Sequence, residues 1–499
     1  MKNVLEYLEK TAARLPEKTA VVEENGAISY AELLANARRI GSALAAKTPP
    51  RRPVPVLMEK GIAALECFFG ALYAGCFYVT LNPDLPPARL AQVAEQLDPP
   101  FLVSDADHLS CAAELAGERP VFLLDELIKT PADEALLAER REEQIDADPL
   151  YTNFTSGSSG KPKGVVVPHR AAITFIETFC ETFGFTENDR FINQAPLDFD
   201  VSVKDIYSSL RCGGTLILTP KAYFSQPAAL LDFICLNRPT VMIWAVSALC
   251  LMTTFHALDY KVPETVRLIL FSGEVMPAKH LKQWMEKLPK TEFINLYGPT
   301  EITCNCTYYR VERGKDYSNG LPIGKAFSNQ RVFLLDENDR EITLPGKKGE
   351  ICVSATSLAL GYYGAQAQTE AVFVQNPVNP RYYERVYRTG DLAFYNAERQ
   401  LVFCGRKDFQ IKHQGHRIEP EEIEAAMMKI AGVERASCVY EEARGRLWGF
   451  YVGSAETADL ERELAEKLPV YMIPRLRKVE AMPLTKNGKI DRKELLLKK

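Results

Sequence analysis

The sequence predicts an α/β protein in two parts: a large N-terminal domain with covered parallel sheets and an antiparallel subdomain, then a small α+β domain. Three observations carry this reading. Apolar strands alternate with helical patterns up to about residue 324, a strand-and-turn texture replaces them, and a helix–strand–strand–helix series with a basic tail closes the chain. At 499 residues the chain is too long for one ordinary domain.

Taken in order, residues 1–20 carry Glu6, Glu9 and Lys10 among apolar positions, which predicts an amphipathic helix and not a signal peptide. Residues 54–80 alternate short apolar strands with a helical pattern over 62–72, and the alternation recurs through 241–246, 268–271 and 293–297. Such βα alternation implies parallel sheets covered on both faces. The segments RVFLLDENDR, KGEICVSAT, RVYRTGDLAFY and QLVFCGRKD assign residues 325–407 to the antiparallel subdomain of a domain spanning 1–407. Residues 408–499 hold a charged helix over 421–429, strands over 437–440 and 447–452, and a helix over 458–467. No linker rich in Gly or Pro separates the parts, so the boundary at Asp408 is expected to be a short hinge.

Composition excludes several functions. With 60 basic and 65 acidic residues intermixed, net charge -5, no basic stripe is available for a nucleic-acid backbone. No run approaches the roughly 20 apolar residues that cross a bilayer, so membrane insertion is not expected. The twelve cysteines show no CxxC spacing, and a reducing cytoplasm is the expected compartment.

The segment YTNFTSGSSGKPKGVVVPH, residues 151–169, runs from one apolar strand through a Ser/Thr/Gly/Lys loop into another. Gly157, Gly160 and Gly164 let backbone amides approach phosphate oxygens, Thr155, Ser156, Ser158 and Ser159 offer hydroxyls, and Lys161 and Lys163 supply charge. A polyphosphate suits this loop. It is not a Walker loop, because only two residues separate Gly157 from Gly160 and Pro162 follows Lys161.

This loop resembles the phosphate signature of the acyl-adenylate-forming (AMP-binding) superfamily, and further segments follow in that family's order: NLYGPTE (295–301), YRTGDL (387–392), GRKDFQIKHQGHRIEPEEIE (405–424) and PLTKNGKIDR (483–492). The resemblance implies an enzyme that uses ATP and Mg2+ to activate a carboxylic acid as its acyl-AMP. Glu301 is then the Mg2+ carboxylate, suited to a hard cation that keeps most of its waters. Asn295 and Tyr297 resemble the adenine contacts, Gly298 and Thr300 belong to the same ATP segment, and Gly273 and Glu274 resemble the wall beside them. Asp391 resembles the acceptor of both ribose hydroxyls, and Arg406 a second ribose contact. Lys489 is the implied catalytic residue, an ammonium that stabilises charge building between the carboxylate and the α-phosphate. Asp408 matches the family hinge, which makes the C-terminal domain a mobile lid whose rotation exchanges Lys489 for the loop over 412–415.

The segment APLDFDVSVKDIYSSL resembles amino-acid-activating members, with Asp200 at the carboxylate for the substrate's α-ammonium. Val201, Lys204, Ser272, Leu296 and Cys304 are the other expected substrate contacts. Within the superfamily the chain resembles most the stand-alone D-alanine:D-alanyl carrier protein ligases, and also nonribosomal peptide synthetase adenylation domains. It lacks HHxxxDG and an appended carrier domain, so a phosphopantetheinylated carrier protein is expected in trans. Ser272 and Lys204 depart from the D-alanine pattern: a Lys204 ammonium suits an acidic substrate side chain, or else faces solvent. An acyl-CoA synthetase and a silent adenylate-binding scaffold are the remaining readings. His413 and His416 at i,i+3 lack further ligands for a metal, and Cys304 and Cys306 lack a paired base, so they are read as pocket or core residues.

Overall fold

A computed structural model of the chain describes residues 1–157, 161–318, 320–484, 490–497 and 499. The chain divides into two compact units: Met1–Asn82, Pro99–Asn153 and Val165–Lys407 form the first, and Pro83–Asp98, Phe154–Gly164 and Asp408–Lys499 the second. The expected mixture of covered parallel sheets and an antiparallel sheet is present.

In the first unit a nine-stranded sheet has a parallel centre made of Glu292–Tyr297, Leu268–Ser272, Val241–Ala245, Arg190–Asn193, Thr215–Leu218 and Thr19–Glu23, in that order, with antiparallel strands at both edges. All five residues of Leu268–Ser272 are buried, as a strand covered on both faces requires. A seven-stranded sheet runs parallel from Pro149–Thr155 through Phe77–Leu81, Pro53–Leu57 and Leu102–Ser104 to Val121–Leu123. The third sheet is antiparallel and centres on Gly349–Ala355 and Arg385–Tyr395, with Leu401–Arg406 on the latter. The helices Tyr30–Ala45 and Ile62–Tyr73 touch at glycine: a Cβ on Gly70 would lie 2.3 Å from Ile40 Cγ2.

The second unit pairs Val433–Glu441 antiparallel with Arg446–Gly453, which pairs parallel with Arg475–Lys478. The helices Pro420–Met428 and Thr457–Lys467 cover it around Ile423, Met427, Leu460, Leu464 and Met472. A hairpin of Ile411–His413 and His416–Ile418 precedes them, its histidines against tyrosines: His416 stacks on Tyr471 at 3.4 Å and His413 meets Tyr440 edge-on. Among the described residues no helix is long and apolar enough to cross a membrane.

His169 begins the helix His169–Phe183, is 1% exposed, and accepts the Val4 N–H on Nδ1 at 3.4 Å. Burial, reinforced by Arg141, pulls its pKa down to about 3. A base whose folded pKa lies below its unfolded value of about 6.5 destabilises the fold only where the unfolded chain takes up the proton, so the stability is intact above about pH 6.5 and is lost as pH falls toward 3. The expected slope is about 1.4 kcal/mol per pH unit from this one group. Urea unfolding at pH 7 and pH 5 should show the loss, and His169→Gln should flatten it; an unchanged slope in the variant would remove His169 as its source.

Candidate active site

The substrate-side residues gather at the carboxyl ends of the parallel strands, where open α/β sheets place their ligands. Asp200 sits at the N-cap of the helix Val201–Cys212, yet its side chain makes no capping bond. One turn on, Lys204 is fully buried and donates to Asn305 Oδ1 at 2.8 Å. The solvent-facing alternative for Lys204 fails because the helix from Ser202 to Leu210 is buried on every side. Burial drives the Lys204 pKa down while Cys304, Asp200 and Asp205 pull it back up. Cys304 Sγ donates to the Asp200 carbonyl at 2.9 Å. Ser272 ends its strand 6% exposed, Leu296 is 2% exposed, and Val201 is half-buried.

Behind this cluster lies a polar network that the sequence did not announce. Asn193 donates to Asp205 Oδ2 at 2.8 Å and accepts from Lys60 Nζ at 3.3 Å. Burial pushes Asp205 up to about 8 and Lys60 down to about 7, with Asp205 holding the Lys60 proton against that pull. The buried Tyr78 and Tyr207 hydroxyls pair at 3.1 Å, and the hydroxyl of Tyr151, also buried, has no hydrogen-bond partner. Lys60 and Asp205 read as ordinary surface charges, and only the tertiary fold reveals their burial.

The nucleotide-side residues form a second group in the same unit. Tyr297 donates to Asp391 Oδ2 at 2.5 Å, and Arg406 pairs with the other Asp391 oxygen across the register Asp391–Arg406. Asp391 is 1% exposed, and its N–H bonds Thr389 Oγ1 at 3.0 Å, so the carboxylate is fixed from several directions. Burial, then Asp391, hold the Tyr297 phenol far above its ordinary range. Asn295 donates to the Pro322 carbonyl at 2.8 Å. Gly273, at φ 99°, and Glu274 follow the strand Leu268–Ser272. Thr300 opens the short helix Thr300–Ile302, and inside it Glu301 is fully buried, with Tyr362 donating to its Oε1 at 2.7 Å.

The loop residues lie in the second unit with part of the C-terminal segment. Ser156 Oγ donates to the Arg417 carbonyl at 2.7 Å, the Gly157 N–H to Glu422 Oε2 at 3.1 Å, and Lys163 Nζ to Glu419 Oε1 at 3.4 Å. The Thr155 hydroxyl is buried without a hydrogen-bond partner. Asp408 begins the C-terminal segment, and its Oδ1 accepts the Gln410 N–H at 3.2 Å. Ser158, Ser159, Gly160 and Lys489 lie outside the described residues.

The model of the AMP-binding enzyme family matches residues 8–363. The chain belongs to that family. This AMP-binding enzyme is similar, at 33% identity over 99% of both chains, to the D-alanine–D-alanyl carrier protein ligase of Bacillus thuringiensis (strain Al Hakam). It is 31% identical to tyrocidine synthase 1 of Brevibacillus parabrevis over 99% of its own length but 45% of that protein. The chain thus spans less than half of the peptide synthases that it matches. Among solved structures it is similar to PA1221, a nonribosomal peptide synthetase protein containing adenylation and PCP domains, with TM-score 0.84 and 26% identity over 100% of this chain and 97% of that one.

Among the described residues none of the twelve cysteines of the AMP-binding enzyme forms a disulfide. Burial holds the Cys304 thiol far above its ordinary pKa, which suppresses the reactive thiolate. Alkylation of the native protein with iodoacetamide, followed by peptide mass spectrometry, should label the half-buried Cys111, Cys235, Cys250 and Cys404 before Cys304 or Cys306. Early labelling of Cys304 would contradict a packed, non-nucleophilic role.

Proposed function

We propose that this enzyme is an AMP-forming amino-acid–carrier protein ligase that activates D-alanine. The observation that carries this reading is that the chain matches D-alanine–D-alanyl carrier protein ligases end to end while its substrate-side carboxylate, Asp200, is kept out of helix capping. In the first half-reaction a substrate carboxylate oxygen attacks the α-phosphorus of ATP, and the bond to the bridging oxygen breaks to release pyrophosphate. In the second the phosphopantetheine sulfur of a carrier protein attacks the acyl carbon, and AMP leaves as the thiol proton is lost.

Asp200 binds the α-ammonium, with Val201, Lys204, Ser272, Leu296 and Cys304 around the side chain. Asp200 is half-buried, and the ammonium of an amine-bearing substrate would pair with its carboxylate. Asp391 accepts the ribose hydroxyls, with Arg406 and Tyr297 fixing its orientation; Asn295, Gly273 and Glu274 flank the base. The loop holds the phosphates with Thr155, Ser156, Gly157 and Lys163, joined by Ser158, Ser159 and Gly160. The environment of Glu301 fits Mg2+: it is a fully buried carboxylate with one oxygen already oriented by Tyr362, and Mg2+ needs one or two such carboxylates beside the ATP phosphates. When bound, the cation neutralises charge on the phosphates. Rotation about Asp408 withdraws Lys489 between the half-reactions, a gating step.

A second reading rests on Lys204. Its ammonium is fully buried beside the substrate carboxylate site, and an acidic substrate side chain would satisfy it. Aspartate or glutamate is then the substrate.

Amino-acid-dependent ATP–pyrophosphate exchange across D- and L-amino acids, including both acidic ones, tests the assignment. D-alanine is expected to give the fastest exchange, and Asp200→Ala to abolish the preference for amino acids; a preference for aspartate or glutamate that is lost in Lys204→Met would select the second reading. Activity only with amine-free acids and free coenzyme A would make the protein an acyl-CoA synthetase, and no pyrophosphate release from any acid would make it a scaffold.

Lys489→Ala is expected to slow adenylation by about two to three orders of magnitude, as loss of one preorganised charge contact does, while sparing thioester transfer from preformed aminoacyl-AMP. Single-turnover assays of each half-reaction separate the two. Equal losses in both would contradict a role confined to adenylation.

A further inference from the structure

Within the second unit the donors of the phosphate loop are engaged by oxygen acceptors of the chain itself. The Ser156 hydroxyl meets the Arg417 carbonyl, the Gly157 N–H meets Glu422, and the Lys163 ammonium meets Glu419. These are the same kinds of donor that a polyphosphate requires: a hydroxyl, a backbone amide and a cation. The approach at Gly157 is close, since a Cβ there would lie 2.0 Å from the Lys161 carbonyl.

Both carboxylates come from the first turn of the helix Pro420–Met428. Glu419 is its N-cap residue but makes no capping bond, and Glu422 sits one turn further in. The helix N-terminus favours negative charge there, where both side chains face the loop. Glu419 is 5% exposed, Glu422 3% and Arg89 6%. Arg89, from the helix Pro87–Leu97, pairs with the second oxygen of Glu422. Burial pushes the Glu422 carboxyl up, and Arg89 and the Gly157 N–H draw it back down. A buried carboxylate with only an amide for company would be expensive, so the guanidinium makes the arrangement tenable.

We propose that Glu422 and Glu419 are positioning residues that act as the loop's internal anions: they occupy its phosphate donors whenever ATP does not, and ATP must displace them to bind. The proposal rests on the reading of this loop as the ATP phosphate site. One amide and one ammonium cannot serve a carboxylate and a phosphate at full strength together, so the clamp and the nucleotide exclude each other. Recapture of the donors after pyrophosphate leaves then disfavours the reverse reaction and clears the enzyme for transfer to the thiol. Arg89 pairs with Glu422 and offsets the cost of its burial.

Glu422→Gln preserves shape and an acceptor but removes the charge; Glu419→Gln is the second variant, independent of the buried Arg89 pair. Dissociation constants for ATP alone, measured by calorimetry, should fall about three- to tenfold in each variant, as expected when a competing closed state loses population. The KM for ATP in pyrophosphate exchange should fall in step with little change in kcat, and tryptic nicking after Lys163 in nucleotide-free protein should accelerate. ATP affinity unchanged or weakened in both folded variants would overturn the clamp, whatever the nicking rate. Absence of ATP binding in the unmodified protein would overturn the ligase assignment together with it, whereas ATP binding indifferent to both variants overturns the clamp alone.

Discussion

The site of the larger unit depends on one tight return of the chain after Tyr297. Cys306 N–H bonds the Tyr297 carbonyl at 2.8 Å, and the backbone comes so close that a Cβ on Gly298 would lie 2.5 Å from Asn305 Cα. Only glycine fits. Turning within this space drives Thr303 and Cys304 to φ 58° and 74°, left-handed values that a β-branched residue adopts at a cost of order 1–3 kcal/mol. The fold supplies that energy partly through Thr303 Oγ1, which donates to the Ser357 carbonyl at 2.8 Å. What results is a single short segment that aims Tyr297 at Asp391, Glu301 at Tyr362, Cys304 at Asp200 and Asn305 at Lys204. The groups proposed for the adenylate and for the substrate are therefore set by the same turn, and strain in it is the cost of aligning both.

A second constraint is electrostatic. Lys204, Asp205 and Lys60 bring ionisable groups of both signs into a region where burial alone pushes each toward its neutral form. They persist because each meets an opposite charge or an amide: Asn193 bridges Lys60 and Asp205, and Asn305 receives Lys204. Such networks hold geometry well because removing any member strands a buried charge. The helix Val201–Cys212 begins inside this network, which fixes the direction in which Asp200 leaves the backbone.

Much of this was legible in the sequence, and the reasons are particular. Strands such as Leu268–Ser272 are buried on both faces and read as unbroken apolar runs, so the parallel sheets followed from pattern. Asp391, Arg406 and Tyr297 sit in strands and Glu301 in a short helix, each within one of the contiguous segments that carried the resemblance. The pairing of Tyr297 with Asp391 was not legible, because 94 residues separate them and only the sheets bring them together. Lys204 looked ambiguous because a lysine beside an aspartate has the pattern of a solvated helix face; burial of the whole helix decided it. Arg89, Glu419 and Glu422 lay in charged helices with nothing local to distinguish them from surface residues, and their significance arises from what folds against them.

The loop of residues 155–163 shows the same dependence from the other side. Ser156, Gly157 and Lys163 present a hydroxyl, an amide and an ammonium, and a compact fold leaves such donors unsatisfied only at considerable cost. In this structure acceptors of the chain itself, a carbonyl and two carboxylates, meet these donors. The first turn of a helix is the natural internal source, because its own amides stabilise carboxylates placed there while their side chains reach outward. Under the proposed phosphate-binding role of this loop, Glu419 and Glu422 belong to it as much as to the helix that carries them: donors suited to phosphate in one segment are matched by carboxylates in the segment that meets them.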